Sequence, residues 1–210
     1  QMKSVGEAMA IGRTFQEAFQ KALRSLELGV AGLEHEGITK AGGEPLPATL
    51  PKDVVLERLS IPSPERPWLL AEALRRGAKP DEVVRATGID PWFVAQIQGI
   101  VDETERLRGK RLADLCDDDL WRLKQMGFAD ARIGQLVDAQ PLDVRAYRKA
   151  RGVVPSMKRV DTCAGEFEAH TPYLYSTYER PFEVIEGGAA WPRFDDEARP
   201  TNHPRKVVIL

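Results

Sequence analysis

Cysteine is nearly missing from this chain: Cys116 and Cys163 are the two it has, far apart and in no C-x-x-C pattern. That excludes a disulfide framework and a cysteine-based zinc site, and it fits a reducing compartment. Long apolar runs are missing too. Stretches such as Val207-Val208-Ile209-Leu210 fall far short of the roughly 20 residues that cross a bilayer, and no basic region with an apolar block and small-residue cleavage site opens the chain. Neither a membrane span nor secretion is expected, and the cytoplasm is the default. Nor is either charge in excess. Lys+Arg number 30 against 32 Asp+Glu over 210 residues, a formal net charge of -2, so no chain-wide positive field gathers nucleic acid or anionic lipid. The remainder, 42% hydrophobic and 30% charged, is ordinary globular composition with enough apolar material for a core.

Catalytic and ligand motifs are scarce as well. Gly187-Gly188 is followed by neither Lys-Ser/Thr nor a helix, so it reads as a flexible turn rather than a phosphate loop. His35, His170 and His203 lie in loop-like sequence without metal-ligand spacing. Gly-x-Ser-x-Gly is absent, and Cys163 has only His170, seven positions on, as a nearby candidate base. The acidic run Asp117-Asp118-Asp119 is explained as a helix N-terminus, and Asp195-Asp196-Glu197 as a solvated loop; nothing supplies the nucleotide half of a magnesium site. No catalytic, cofactor-binding or metal residue is therefore assigned.

What is present is a grammar of short helices. Thr14-Phe15-Gln16-Glu17 is a capping box, with the Glu17 carboxylate expected on the Thr14 amide. Phe15, Phe19, Ala22 and Leu26 then recur on one stripe expected to be buried, leaving Gln16, Gln20, Lys21 and Arg24 for solvent, with Gly29 as the stop. The stretch from Glu34 to Pro51 has no sustained period and reads as a long loop between packed units. Helices are expected over Asp53 to Ile61, Pro64 to Gly77, Pro80 to Gly88 and Asp90 to Gly109, the last being central, with Phe93, Ile97, Ile100 and Val101 as its apolar face. Further helices follow from Asp117 to Gly127, Asp130 to Val137 and Pro141 to Ala150. From Val153 onward the pattern changes to extended segments and turns, ending in KVVIL (206–210), which reads as a buried strand that needs a sheet to enter. The fold class is mainly α, an irregular array of short helices, with extended segments and a terminal β-strand in the last quarter.

Two segments have helix-turn-helix character. In PDEVVRATGIDPWFVAQIQ (80–98) the second helix starts acidic and bulky, against DNA reading. In ADARIGQLVDAQPLDVRAYRKARG (129–152), Arg145, Arg148, Lys149 and Arg151 cluster with Tyr147, although cations in a last helical turn need no ligand. Trp68, Trp92, Phe93, Trp121 and Phe128 are either core or an exposed patch for self-association, and sequence leaves both open.

MKSVGEAMAIGRTFQEAFQKAL (2–23) resembles the segment that ends an ATP-grasp half in the large subunit of glutamine-dependent carbamoyl-phosphate synthases, with the valine of MKSVGE as in the first, carboxyphosphate-forming half. GIDPWFVAQI and LKQMGFADARIGQL are similar to the intervening helical region, and KRVDTCAGEF, YLYSTYE and KVVIL to the stretch leading into the second half. Ala8 and Gly165 are small departures from that pattern. The order holds along nearly the whole chain, which then reads as cut from a longer one at both ends.

The resemblance implies a position more than an activity. Residues 1–28 would close the first ATP-grasp half, 29–158 would form the helical oligomerisation domain, and 159–210 the connector and first strand of the second, carbamoyl-phosphate half. The parent enzyme implied is an ATP-dependent ligase that makes carbamoyl phosphate from bicarbonate, glutamine-derived ammonia and two ATP, for arginine and pyrimidine biosynthesis. ATP and Mg (or Mn) belong to that parent and not to this segment, which is expected to be inactive alone. Implied partners are the rest of the large subunit, the glutaminase small subunit and further copies of the chain, with no nucleic acid and no membrane. A stand-alone helical scaffold and a helix-turn-helix DNA-binding regulator are the alternatives.

Overall fold

The computed structural model describes residues 7–171, 173–186 and 189–198. The chain divides into two compact units, Gln1–Val153 and Val154–Leu210. All the described α-helices fall in the first: α1 Phe15–Ser25, α2 Gly37–Lys40, α3 Lys52–Ser60, α4 Arg66–Arg75, α5 Pro80–Thr87, α6 Pro91–Arg106, α7 Asp117–Gln125, α8 Asp130–Val137 and α9 Pro141–Ala150. Their starts and stops follow the punctuation. Proline opens α5, α6 and α9 at the first helical position, where its missing N–H costs nothing. Gly88 ends α5 in the left-handed region at φ +70°.

The centre of this unit is α4 rather than the longer α6. Every residue from Trp68 to Leu74 is buried, Glu72 included, and α4 touches α2, α3, α5 and α6. A helix that is apolar nearly all round has no face to give to water, so it takes the middle of the array. Emptying Leu69 or Leu70, at 0% and 1% exposure, to alanine would cost about 2–5 kcal/mol. On α6 the inward face is Val94, Ile97, Ile100 and Val101, while Phe93 turns outward. The 34–51 stretch also differs from a long loop. It contains α2 and buries Ile38 and Leu46, while nearby Gly32 accepts a 2.9 Å hydrogen bond from Trp68 Nε1 on α4.

The largest departure is the orientation of α1. Glu17, Gln20 and Leu23 face inward, whereas Leu26 is exposed and Phe15 and Phe19 are half-buried. The reason lies in the end of α7, whose last carbonyls lack intrahelical partners. Thr14 Oγ1 donates to the Gln125 carbonyl at 3.3 Å, Gln20 Nε2 to Met126 at 2.8 Å and the Arg24 guanidinium to Gly127 at 2.8 Å. The polar face of α1 thus caps another helix, and a cation sits at its negative end. The Thr14 hydroxyl accepts from the Glu17 amide at 3.1 Å as expected, but the Glu17 carboxylate accepts from the Arg13 amide, at 2.7 Å, rather than from that of Thr14. Gly127, at φ +89°, makes this docking possible, since a Cβ there would lie 2.8 Å from Glu17 Cα.

Among its described residues the second unit has two antiparallel ribbons. Strand β1, Ser156–Arg159, pairs with β2, Leu174–Thr177, in the register Ser156↔Thr177. Strand β3, Phe182–Glu186, pairs with β4, Ala189–Arg193, in the register Phe182↔Arg193. The acidic run is a loop with Asp195 and Glu197 exposed, as expected, but its carboxylates also bind β1. Asp196 and Glu197 accept from the Met157 and Arg159 amides at 2.8 and 2.7 Å, and Asp195 holds Lys158 Nζ at 2.6 Å. Burial alone would push the Lys158 ammonium down, but Asp195 and Glu179 outweigh it and raise it above an ordinary lysine. KVVIL and Gly187-Gly188 lie outside the described residues.

Candidate interaction surface

The aromatic residues whose roles the sequence leaves open divide cleanly. Trp68, Trp121 and Phe128 are core, at 1%, 6% and 1% exposure. Trp92 and Phe93, in the first turn of α6, stay 52% and 42% exposed. They do not stand alone. Phe15 on α1 lies 5.3 Å from Trp92 edge to face and 5.2 Å from Phe93, and stacks on Phe19 at 5.4 Å. Edge-to-face pairs at such spacing are each worth about 0.5–1.5 kcal/mol beyond their area, so the cluster is preorganised. Asp90 fixes its base by accepting from the Trp92 amide at 2.8 Å.

Beside these rings lies an almost wholly apolar groove of about 210 Å³, walled by Phe15, Phe19, Leu70, Phe93 and Ile97, with Arg66 at its edge. The guanidinium is already turned to backbone, with Nε donating to the Leu59 carbonyl at 3.0 Å. What the arrangement offers is clustered rings beside an apolar groove whose charged lining residue is Arg66, which is the chemistry of an interface centre. The signal missed in the sequence was that α1 turns its polar face inward, which frees Phe15 and Phe19 to join Trp92 and Phe93.

Arg148 of the basic cluster on α9 is used internally. Arg148 is buried and grips Asp130, with Nε and the NH2 amine each donating at 2.9 Å, while the NH1 amine donates to the Val153 carbonyl at 2.9 Å. Lys124 joins from the other side, its Nζ 2.8 Å from Asp130 and 2.7 Å from the Phe128 carbonyl. Burial pushes Lys124 down to about 8, Asp130 opposing and Arg148 and Arg24 adding to the shift. Arg151 lies over the Tyr147 ring at 4.0 Å and reaches Asp117 at 3.4 Å. Arg145 and Lys149 are left exposed, which is not a groove-reading helix of the helix-turn-helix kind.

The remaining candidates are dispersed. His35 Nδ1 lies 3.5 Å from Glu72, Cys163 Sγ is 3.8 Å from Thr162 Oγ1, and His170 is exposed; His203 lies outside the described residues. Asp119 closes the start of α7 on the Cys116 amide at 3.2 Å and pairs with Arg106 at 2.9 Å. Burial would raise its carboxyl, but the Cys116 amide, Arg122 and Arg106 hold it well below the usual range. Among the described residues no three of His, Cys, Asp and Glu converge as a metal ion requires. No described helix is long and apolar enough to cross a membrane.

Comparison with known proteins agrees with the helical unit in extent. Residues 7–152 match the family described as carbamoyl-phosphate synthetase large chain, oligomerisation domain. Over all 210 residues the chain is 47% identical to the carbamoyl phosphate synthase large chain of Myxococcus xanthus, covering 18% of that protein. It is 46% identical, again over its full length, to the large chain of Ralstonia nicotianae, of which it covers 17%. It is 44% identical to the chloroplastic arginine-specific large chain of Arabidopsis thaliana, covering 16%. The chain thus spans less than a fifth of the length of these curated relatives. With a match over most of the length and an all-helical unit of the same extent, the chain belongs to the oligomerisation-domain family of carbamoyl-phosphate synthetase large chains.

Proposed function

We propose that this chain is the central spacer of a carbamoyl-phosphate synthase large subunit, and that the Phe15, Phe19, Trp92 and Phe93 face joins it to a second copy. Residues 1–28 end the first ATP-dependent half, 29–158 form the spacer, and 159–210 connect to the second half. The parent converts bicarbonate, glutamine-derived ammonia and two ATP into carbamoyl phosphate for arginine and pyrimidine biosynthesis. Its ATP and Mg (or Mn) are held by the flanking halves, its ammonia comes from a glutaminase small subunit, and it works in the cytoplasm, although one relative is chloroplastic.

Rigidity is what the spacer contributes. A carbamate passing between two sites must not meet water, so the pose of the halves has to be fixed. The docking of α1 on the end of α7, through three side-chain hydrogen bonds and a glycine contact, supports a stiff joint at the edge of the first half. The observation that carries the self-association reading is the preorganised, half-exposed aromatic cluster on α1 and α6.

Sedimentation equilibrium of the 210-residue chain tests it. Dimers or larger species are expected, and Trp92→Ala with Phe93→Ala should weaken association at least about 30-fold, the loss of a hot spot of about 2 kcal/mol. A monomer at every concentration, or association indifferent to both changes, would refute the surface. The isolated chain should also hydrolyse no ATP in response to bicarbonate; turnover would refute the spacer reading.

A further inference from the structure

A second cleft in the helical unit, of about 350 Å³, opens where the 34–36 segment meets α4, α6 and α8. Its volume lies within the roughly 300–1,000 Å³ of small-molecule pockets. Most of its charges are already matched. Glu72 is held by Arg75 at 3.2 Å and Arg76 at 2.8 Å, Glu105 by both arms of Arg108 at 2.7 and 2.8 Å. Glu34 accepts the amides of Ala31 and Gly32 at 2.9 and 2.6 Å.

Two opposite charges remain underused. The Arg132 side chain is only 11% exposed, with Glu34 at 3.6 Å, and of its five N–H donors one makes a hydrogen bond, from the NH1 amine to Gln135 Oε1 at 3.1 Å. Burial pushes its guanidinium down and Arg75 adds to this, against Glu34 and Glu36. Glu36, at the mouth, precedes α2 yet makes no capping bond with its side chain. It lines the same cleft as Arg132, and the two do not form an ion pair. The other Arg132 guanidinium nitrogens are not buried, so on a side chain that lines the cleft these donors remain open to an acceptor. A bare anion would meet a lining of four carboxylates and three guanidiniums, whereas a molecule carrying both charges satisfies both ends.

We propose that this cleft binds a small zwitterion of the size of a free α-amino acid, its carboxylate on Arg132 and its ammonium on Glu36. The inference is independent of the self-association surface, with which the cleft shares no lining residue.

The side-chain Nε–Hε resonance of Arg132 in the ¹⁵N-labelled chain, identified by its loss in Arg132→Lys, reports occupancy directly. L-alanine, acetate and methylammonium are titrated separately. Saturable shifts with L-alanine are expected, at an affinity at least about tenfold above either fragment. Arg132→Lys keeps the charge but not the planar fork, and should weaken L-alanine about tenfold as read on neighbouring amides. Glu36→Gln, at an exposed position, should weaken L-alanine about two- to fivefold, the range for a solvent-accessible charge pair, and leave acetate unchanged or tighter. Acetate binding as well as L-alanine, indifference to Glu36→Gln, or no saturable shift with any probe would each overturn the proposal.

Discussion

Replacing Gly127 with alanine tests how α1 is fastened, and Gly88 supplies the control. Both glycines have positive φ, +89° and +70°, so alanine at either must adopt the left-handed region, at about 1–2 kcal/mol. At Gly88 nothing lies within 4 Å of the added methyl, and the loss should stop there. At Gly127 the methyl would lie 2.8 Å from Glu17 Cα, 3.0 Å from the Glu17 carbonyl oxygen and 3.3 Å from that of Gln16. These are backbone atoms and cannot swing aside. Relief requires α1 to move off, stretching the bonds from Thr14, Gln20 and Arg24 to the end of α7. Overpacking of this kind costs about 1–3 kcal/mol more, so Gly127→Ala should lose about 2–5 kcal/mol in all. Urea unfolding followed by circular dichroism at 222 nm reads the helical unit, since the described helices all belong to it. Equal losses at Gly88 and Gly127 would refute the account of α1 docking.

Gln20→Ala should cost about 1–3 kcal/mol, because the Met126 carbonyl loses its donor at a part-buried site; a change within 0.5 kcal/mol in the same assay would count against helix capping by α1. The buried Lys124 gives a signed pH effect. Its folded pKa, about 8, lies below the 10.5 of an ordinary lysine, so between those values the unfolded chain holds more protons and stability rises with pH. Lys124→Met should flatten that rise in a series of urea midpoints, and parallel profiles for the two proteins would refute it. Asp130 acts at the acid end: burial would raise its carboxyl, but Arg148 and Lys124 hold it below 3.8, so its contribution is present above that value and lost as pH falls through the lower folded value.

Helix positions were legible because their signals are local. Proline at first helical positions, the Thr14 and Asp90 caps and Gly88 as a stop act over one turn, and the observed helices α1, α5, α6 and α9 begin where those residues stand. The proposed interaction surface was half legible. The aromatic residues could be named, but their division into Trp68, Trp121 and Phe128 inside and Trp92 and Phe93 outside depends on which helices cover them. The cleft gave no sequence signal, since Glu36, Arg75, Arg108 and Arg132 are ordinary surface residue types on separate elements until four segments converge.

The family, the mainly helical class and the scarcity of ligand motifs were determined by the amino-acid sequence itself, through runs such as MKSVGEAMAIGRT and the repeated proline-to-glycine punctuation. Only the tertiary structure decided that α4 is the centre, that α1 buries its polar face and that Arg148 and Lys124 share Asp130. The physical reason is that periodicity marks which face of a helix is apolar, whereas the unsatisfied carbonyls at another helix's end, distant in the chain, can make the polar face the better one to bury.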